Sequence, residues 1–154
     1  MRSIAILDAG PLLASLDRRD PDHVRSAEVL RRRDLDLVIP TLVIAEVAHF
    51  AALRLGPDGE AAFVRGLPRL GVEDPHPEDW PVIADLVERY GDFRLGTVDA
   101  SIVVLADRLD TDLIVTLDRR HFGAIRSLRG RSFRLLPEPK QVREDPAGYS
   151  PPPA

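Results

Sequence analysis

The sequence has no cysteine, and lysine occurs once, at position 140. Without cysteine there are no disulfides, thiolate metal sites or cysteine nucleophiles, so a bound metal needs Asp, Glu or His ligands. Long apolar runs are also missing. The first apolar run, from Ile4 to Leu7, is too short for a signal-peptide core. No apolar run approaches the roughly 20 residues of a membrane span. We therefore expect a cytoplasmic protein without a membrane partner.

The remaining composition is typical of a folded domain. The 154 residues are 44% hydrophobic and 30% charged, which favours one globular domain with a packed core. The net charge of −4 argues against a simple polycationic nucleic-acid binder. Basic charge is nevertheless concentrated locally, because six arginines and no acid lie between Arg119 and Arg134.

Short apolar runs alternate along the chain with amphipathic segments. They predict strands over residues 4–7, 37–39, 113–117 and 133–136, with an edge strand over 70–73. Helices are predicted after the Gly10-Pro11 turn, over 22–33, 41–55, 57–67, 77–90 and 97–108, and from Asp118 onward. The predicted helix caps are Asp22, Thr41 and Thr97. This alternation predicts an α/β fold with three α/β/α layers and a mainly parallel central sheet.

The C-terminal residues differ in composition from the rest of the chain. Prolines become frequent after Leu136, at positions 137, 139, 146 and 151–153. We therefore predict one domain over residues 1–137 and a proline-rich tail over 138–154 that is extended or disordered.

Four acidic residues stand where acids are unusual: Asp8, Glu46, Asp99 and Asp118. Asp8 and Asp118 each follow a predicted buried strand, which places them at the carboxyl edge of a parallel sheet, where open α/β folds bind ligands. Each also precedes a predicted helix. Helix capping therefore explains each of the two residues about as well as a functional role does. The two positions therefore indicate a site only in combination with other residues.

Glu46 interrupts an apolar stretch of its predicted helix. Its neighbours at helical spacing are Leu42, Val43, His49, Phe50 and Leu53. We therefore predict that Glu46 points inward, where an unpaired carboxylate costs several kcal/mol and needs a cation, a partner or a cavity. A salt bridge to a buried arginine is the structural alternative.

Asp99 is the only charged residue between Val98 and Ala106. It lies in the first turn of its predicted helix, where the helix dipole and free N–H groups stabilise a carboxylate, so favourable capping is the alternative to a chemical role. The histidines nearest these acids, His49 and His121, are interpreted as packed or hydrogen-bonded structural residues and are left out of the predicted site.

The four acids can converge on one cleft only if positive charge fills it. A divalent cation meets that need, since ions such as Mg²⁺ prefer oxygen ligands and commonly bind through a few carboxylates plus substrate phosphates. The acids therefore suggest phosphoryl chemistry.

Four blocks in order carry a family resemblance: Asp8-Ala9-Gly10-Pro11-Leu12-Leu13-Ala14, Pro40-Thr41-Leu42-Val43-Ile44-Ala45-Glu46-Val47, Val98-Asp99-Ala100 and Thr116-Leu117-Asp118-Arg119-Arg120-His121-Phe122. Together they resemble the PIN-domain family, specifically the VapC-type ribonuclease toxins. The resemblance spans residues 4 to about 136, and its last block is the most specific. Gly10 departs from the pattern, because many relatives carry serine or threonine there, so a hydroxyl near the metal is absent.

The resemblance implies the toxin of a toxin-antitoxin pair, an endoribonuclease that uses Mg²⁺ or Mn²⁺. On the matching positions, Asp8, Glu46, Asp99 and Asp118 would be catalytic and hold one or two ions, which activate a water that attacks the phosphorus. Thr116 would support this set. A VapB-type antitoxin would block the site, and a homodimer within the toxin-antitoxin assembly is expected.

The arginines after Asp118 fit an RNA substrate. Arg119 and Arg120 are predicted to hold the RNA backbone through bidentate phosphate contacts, although ordinary surface arginines would look the same. The further arginines as far as Arg134 would extend this rim.

Three other classes share some of these features. A response-regulator receiver domain is disfavoured because Asp8 stands alone and the one lysine lies in the tail. A phosphatase of the haloacid-dehalogenase type needs an aspartate where the chain has Gly10. A PIN-like module that binds RNA or protein without catalysis remains the alternative, and only the presence of all four acids argues against it.

Overall fold

The computed structural model describes residues 1–139, so most of the predicted tail lies outside the described residues. The chain order is β1 (Ser3–Leu7), α1 (Ala9–Leu16), α2 (His23–Leu30), β2 (Leu35–Pro40), α3 (Thr41–Gly66), β3 (Gly71–Glu73), α4 (Asp79–Arg89), α5 (Thr97–Arg108), β4 (Leu113–Val115), α6 (Arg119–Ala124) and β5 (Arg134–Leu136). Short 3₁₀ turns follow α3 and α4, at Leu67–Arg69 and Gly91–Phe93.

The five strands form one parallel sheet in the order β3-β2-β1-β4-β5. The chain leaves β1 toward β2 on one side and later returns to β4 on the other. Such a reversal of direction creates a crevice at the carboxyl ends of the central strands, where α/β folds place their sites. The predicted α/β/α fold with a parallel sheet is confirmed.

The core lies on both sides of β1 and β4. Ala5, Ile6 and Leu7 in β1 and Ile114 and Val115 in β4 are fully buried. Such strands are apolar on both faces because helices cover both faces of a parallel sheet. Each fully buried leucine or isoleucine contributes about 1.5–3 kcal/mol, so the strands that carry the site residues are rigidly held.

Helix α5 is the most deeply buried helix of the described chain. Its residues Ala100–Ala106 are all buried, and the helix contacts β1, β2 and α4. An apolar helix packed in this way keeps its first turn, and therefore Asp99, in a fixed position against the sheet.

Two of the predicted helix caps are wrong. Helices α3 and α5 begin at Thr41 and Thr97 themselves, and the N-cap residues are Pro40 and Gly96. The reason is that β2 stays extended up to Pro40 and the helix then starts at once. Asp22 does occupy the N-cap of α2, but its carboxylate accepts a hydrogen bond from Arg25 Nε at 2.9 Å, and α2 ends at Leu30 rather than near residue 33.

The long helix α3 consists of two helical segments. Gly56 has a φ of 71° and a ψ of −171°, which breaks the helix before Pro57. Only glycine adopts this region without strain. The break confirms the prediction of separate helices over 41–55 and 57–67.

Within residues 1–139, no helix is long and apolar enough to cross a membrane.

Candidate active site

Asp8 directly follows β1 and is 8% exposed. Its Oδ1 accepts a hydrogen bond from the Ala9 N–H at 2.7 Å, and its Oδ2 accepts one from Thr116 Oγ1 at 2.6 Å. Burial raises the pKa of Asp8 in spite of these two bonds. Asp8 caps α1, as the capping interpretation predicted. Its burial also makes the charged form of this carboxylate unfavourable.

Thr116 lies directly after β4 and is fully buried. Its hydroxyl donates to Asp8 and accepts from the Asp118 N–H at 2.9 Å. One side chain thus ties the end of β1 to the turn that carries Asp118. This geometry suits the predicted supporting role of Thr116.

Asp118 is the N-cap residue of α6. Its Oδ1 accepts from the His121 N–H at 2.9 Å, so the capping interpretation of Asp118 is confirmed. Its Oδ2 lies 3.0 Å from the ring Nδ1 of His121, and the same Nδ1 lies 3.8 Å from Asp99 Oδ2. The structure therefore brings His121, which was left out of the predicted site, between two of the predicted acids.

Asp99 lies in the first turn of α5 and is half-buried. Its Oδ2 accepts from the Gly96 N–H at 3.4 Å, a long bond that gives the capping interpretation partial support. Burial raises the pKa of Asp99, and the carboxylate of Asp8 raises it further. The capping hydrogen bond therefore does not offset the increase in the pKa of Asp99 that burial and the carboxylate of Asp8 cause.

The predicted surroundings of Glu46 are partly wrong. The buried face of α3 is formed by Val43, Val47 and Ala51, whereas His49 is exposed and Leu53 is 68% exposed. The helix is apolar on more than one face, so spacing alone selected the wrong stripe. Glu46 lies beside the buried face and is half-buried.

The four acids share one electrostatic environment. Burial raises the pKa of Glu46, and the carboxylates of Asp8 and Asp99 raise it further. Asp118 likewise raises the pKa of both Asp8 and Asp99. Asp8, Glu46 and Asp99 each have at least one other acid of the set close enough to oppose their ionisation, and the structure brings all four acids to one region at the carboxyl edge of the sheet.

No arginine or lysine of residues 1–139 neutralises this cluster. Among residues 1–139, none of the four acids forms an ion pair with arginine or lysine, which excludes the buried-arginine alternative for Glu46 in the described chain. The partner that does approach is His121, which lowers the pKa of Asp8 and Asp99 only as a minor contribution.

The donor set suits a hard divalent cation. All four side chains offer oxygen, three of them have raised pKa values, and an added positive charge would reverse the repulsion that causes part of this shift. In the described part of the chain, no three His, Asp or Glu side chains stand close enough together to hold one ion as they are. The chemistry of the ligands fits, while their spacing is wider than that of a closed metal site.

The arginines after Asp118 are mostly engaged elsewhere. Arg119 donates to the backbone carbonyls of Leu135, at 3.3 Å, and Pro137, which fastens α6 to β5. Three further arginines of this run pair with aspartates: Arg129 with Asp107 and Asp110, Arg131 with Asp110, and Arg134 with Asp112. Arg120 is exposed. The predicted rim of phosphate-binding arginines is therefore much smaller than the sequence indicates.

A large groove of the described chain lies away from the acids. It has a volume of about 700 Å³ and is bordered by α1, α2, β2 and the second segment of α3. Leu12, Leu30 and Phe63 contribute to its apolar floor, and Arg31 and Arg33 lie at its rim.

A parallel α/β sheet with an acidic cluster at its carboxyl edge is an arrangement suited to phosphoryl chemistry. The PIN domain family matches residues 5–127. Ribonuclease VapC26 of Mycobacterium tuberculosis is 39% identical over 134 residues, which cover 86% of this chain and 99% of the relative. The chain belongs to the PIN-domain family and, within it, to the VapC ribonucleases.

Solved structures show the same fold. VapC20 of Mycobacterium tuberculosis, described as a sarcin-ricin loop cleaving toxin, superposes with a TM-score of 0.71 at 15% identity, over 79% of this chain and 95% of that one. DNA-bound VapBC of Salmonella typhimurium matches with a TM-score of 0.61 at 21% identity, over 88% and 97%. VapBC2 of Rickettsia felis, bound to a DNA fragment from its promoter, matches with a TM-score of 0.61 at 16% identity, over 86% and 96%.

Proposed function

We propose that this VapC ribonuclease is the toxin of a VapBC-type toxin-antitoxin pair and hydrolyses RNA phosphodiester bonds with the help of a divalent cation. The observation that carries the proposal is the cluster of Asp8, Glu46, Asp99 and Asp118 at the carboxyl edge of the sheet, without an arginine or lysine counterion in residues 1–139. The identity with a curated ribonuclease over most of both chains supports the same reaction.

Asp8, Asp99 and Glu46 are the residues proposed to hold the cation, which is Mg²⁺ or Mn²⁺. Asp118 either positions this ion or holds a second one. When bound, such a cation polarises the scissile phosphate and lowers the pKa of water, which supplies a nucleophile at neutral pH. The wide spacing of the carboxylates is the expected result of their mutual repulsion, and a cation would draw them together.

The chain's own groups hold the carboxylates in position. The Thr116 hydroxyl and the Ala9 N–H occupy one lone pair on each oxygen of Asp8, which fixes the plane of this carboxylate. The remaining lone pairs are then directed by the fold rather than by free rotation. Such preorganisation lowers the cost of gathering several ligands around one ion.

Arg120 is the proposed contact to the RNA backbone. It lies in the first turn of α6, two residues after Asp118, and it is exposed. A guanidinium binds a phosphate through two parallel hydrogen bonds. Arg119 is assigned a smaller part in RNA binding, because its guanidinium already donates to two carbonyls of the chain.

A VapB-type antitoxin is the proposed partner, since two of the structural relatives are VapBC complexes. A cluster of carboxylates without an arginine or lysine counterion in residues 1–139 favours an arginine or lysine of the partner among the four acids. We expect that Asp99→Asn weakens antitoxin binding, because this variant removes a charge from the cluster, whereas Asp36→Asn at an exposed position does not. Pull-down of the co-expressed pair measures this, and failure of a small partner to copurify from the native host would contradict the proposal.

The alternative is a PIN-like module that binds without catalysis. Stabilisation by Mn²⁺ separates the two functions, because a ligand that binds only the folded state raises Tm. The nuclease is expected to gain stability in millimolar Mn²⁺ and the Asp8→Asn variant to gain little. Equal Tm values with and without the ion for the wild-type protein would favour the inert module.

A further inference from the structure

Two aromatic rings and an arginine lie in contact with one another on the first segment of α3. The rings of His49 and Phe50 meet edge to face, with centroids 5.4 Å apart and an interplanar angle of 65°. The guanidinium carbon of Arg54 lies over the Phe50 ring, 5.3 Å from its centroid. The three side chains therefore form one continuous surface, the His-Phe-Arg cluster.

The helix places this cluster next to the acidic residues. His49 and Phe50 stand three and four residues after Glu46, which is about one helical turn, or roughly 5–6 Å along the axis. Arg54 stands eight residues after Glu46, about 12 Å along the axis. An RNA strand that leaves the acids along α3 therefore meets the His-Phe-Arg cluster next.

The outer part of the cluster is open to solvent. His49 and Arg54 are exposed, whereas Phe50 is half-buried and packs against the core. Within residues 1–139, Arg54 forms no ion pair with an aspartate or glutamate. It differs in this from the paired arginines that follow α6, so its guanidinium is held by a ring and keeps its charge available for a ligand.

Helix stability is the alternative explanation of the contact between Phe50 and Arg54. An i, i+4 pair is favourable in any helix, and a cation is favourable in the last turn before the break at Gly56. This explanation assigns no function to the exposed ring of His49. It predicts that changes in the cluster alter Tm and leave RNA binding unchanged.

Single-stranded RNA matches the cluster through both its bases and its phosphates. Unpaired bases stack on aromatic rings, histidine included, and on guanidinium planes, and a guanidinium also donates to a phosphate. The four carboxylates repel RNA phosphates, so a strand that crosses them needs positive groups on either side. Arg120 follows β4 and Arg54 lies on the helix after β2, and these two strands flank β1.

We propose that the His-Phe-Arg cluster is a contact site for single-stranded RNA beside the acidic cluster. Phe50 supports the guanidinium of Arg54, which donates to a phosphate, and the ring of His49 stacks on an unpaired base. The site rests on the proposed ribonuclease function and adds the form of the substrate, a strand that is unpaired next to the scissile bond. A duplex fits poorly, because its bases already stack on one another.

Fluorescence anisotropy with a labelled single-stranded RNA tests the arginine, in the Asp8→Asn background that prevents cleavage. Arg54→Gln is expected to lower the slope of log affinity against log salt by about 0.7, the effect of one lost phosphate contact. Arg65→Gln is the matched control and should keep the slope. Arg65 is also exposed, and it lies on the second segment of α3, beyond the break at Gly56.

A pair of variants at position 49 tests stacking in the same assay. His49→Leu removes the planar ring, and stacking of one base is worth about five- to 150-fold in affinity, so we expect at least about a fivefold loss with an unchanged salt slope. His49→Phe keeps a ring and should bind nearly as well as the parent protein. The Tm of each variant checks that it is folded.

Parent-like affinity and slope in both Arg54→Gln and His49→Leu would overturn the site, and so would a duplex of the same sequence bound as tightly as the single strand. Equal losses in His49→Leu and His49→Phe would overturn the stacking role. Unchanged RNA binding together with loss of antitoxin copurification would assign the cluster to the protein partner instead. Cleavage by the protein with Asp8 intact is measured separately, so these results leave the nuclease proposal standing, whereas absence of both RNA binding and cleavage would remove both.

Discussion

At the scale of single residues, the site consists of carboxylates in surroundings that oppose their charge. Asp8 illustrates this, since it is buried after an apolar strand and its pKa is raised by burial before any neighbouring charge is considered. Residues that are unfavourable for stability and clustered in one place are typical of functional sites.

Asp8→Asn is expected to stabilise the metal-free protein at neutral pH. The raised pKa means that the folded state binds the Asp8 proton more tightly than the unfolded state, so stability falls as pH rises from the ordinary aspartate pKa of 3.8 through the folded pKa. Above this window the charged carboxylate destabilises the fold. The asparagine keeps an acceptor for the Ala9 N–H and removes the charge, but its amide nitrogen replaces the acceptor for the Thr116 hydroxyl with a donor. We therefore expect a net gain of at most about 1 kcal/mol, or roughly 2–4 °C in Tm.

The measurement is Tm in EDTA between pH 4 and pH 7.5, with Asp36→Asn as the matched control at an exposed position. The advantage of Asp8→Asn should shrink as the pH is lowered toward 4, because protonation removes the charge of Asp8 in the wild-type protein. A lower Tm for Asp8→Asn than for wild type at pH 7.5 would show that the carboxylate contributes to stability instead.

Sequence reasoning reached the acids but not the contacts between them. Asp8 and Asp118 could be predicted because an acidic residue directly after a buried apolar strand can be recognised from the sequence alone. His121 could not, because its significance comes from a ring 3.8 Å from Asp99, which is distant in sequence. The available signal was the three-residue spacing of Asp118 and His121 across the first turn of a helix.

At the scale of elements, helix α3 shows where periodicity is insufficient. The stretch from Thr41 to Leu55 is apolar on more than one face, so its spacing is compatible with two stripes. The structure buries the stripe of Val43, Val47 and Ala51. Contacts with α1, β2 and α5 select this face, and these contacts are not encoded within the helix itself.

A pair of truncations tests which face of α3 is buried. Val47→Ala leaves a cavity in the core and should cost about 2 kcal/mol, whereas Leu53→Ala on the exposed face should stay within about 0.5 kcal/mol. Urea unfolding followed by circular dichroism gives both values. A larger loss of unfolding free energy for Leu53→Ala than for Val47→Ala would contradict the structure and favour the buried face that the sequence predicts.

At the scale of the whole molecule, the alternation of strands and helices was enough to predict the α/β fold and its parallel sheet. The order β3-β2-β1-β4-β5 was not predicted, because strand order depends on packing between distant segments. The arginines show the same limit: their clustering is visible in the sequence, but their pairing with Asp107, Asp110 and Asp112 is visible only in the fold. The division at residue 137 stays a prediction.

This pairing predicts how RNA binding depends on salt. Removing one phosphate contact to single-stranded RNA lowers the slope of log affinity against log salt by about 0.7. Arg120→Ala should show this change, and Arg134→Ala should not, because Arg134 pairs with Asp112. Fluorescence anisotropy with an Asp8→Asn background, which prevents cleavage, measures both slopes, and a larger change for Arg134→Ala would contradict the assignment.

The most direct measurement is cleavage of total cellular RNA by the purified protein, free of antitoxin, in Mg²⁺, Mn²⁺ or EDTA. Asp8→Asn and Asp99→Asn are run in parallel to exclude a contaminating nuclease, with Asp36→Asn as the matched control. We predict discrete fragments in the presence of a divalent cation, with none in EDTA or from either site variant. Fragments that persist in EDTA or in both site variants, or no cleavage by the folded wild-type protein across several RNA pools, would contradict the assignment of these carboxylates to a metal-dependent ribonuclease site.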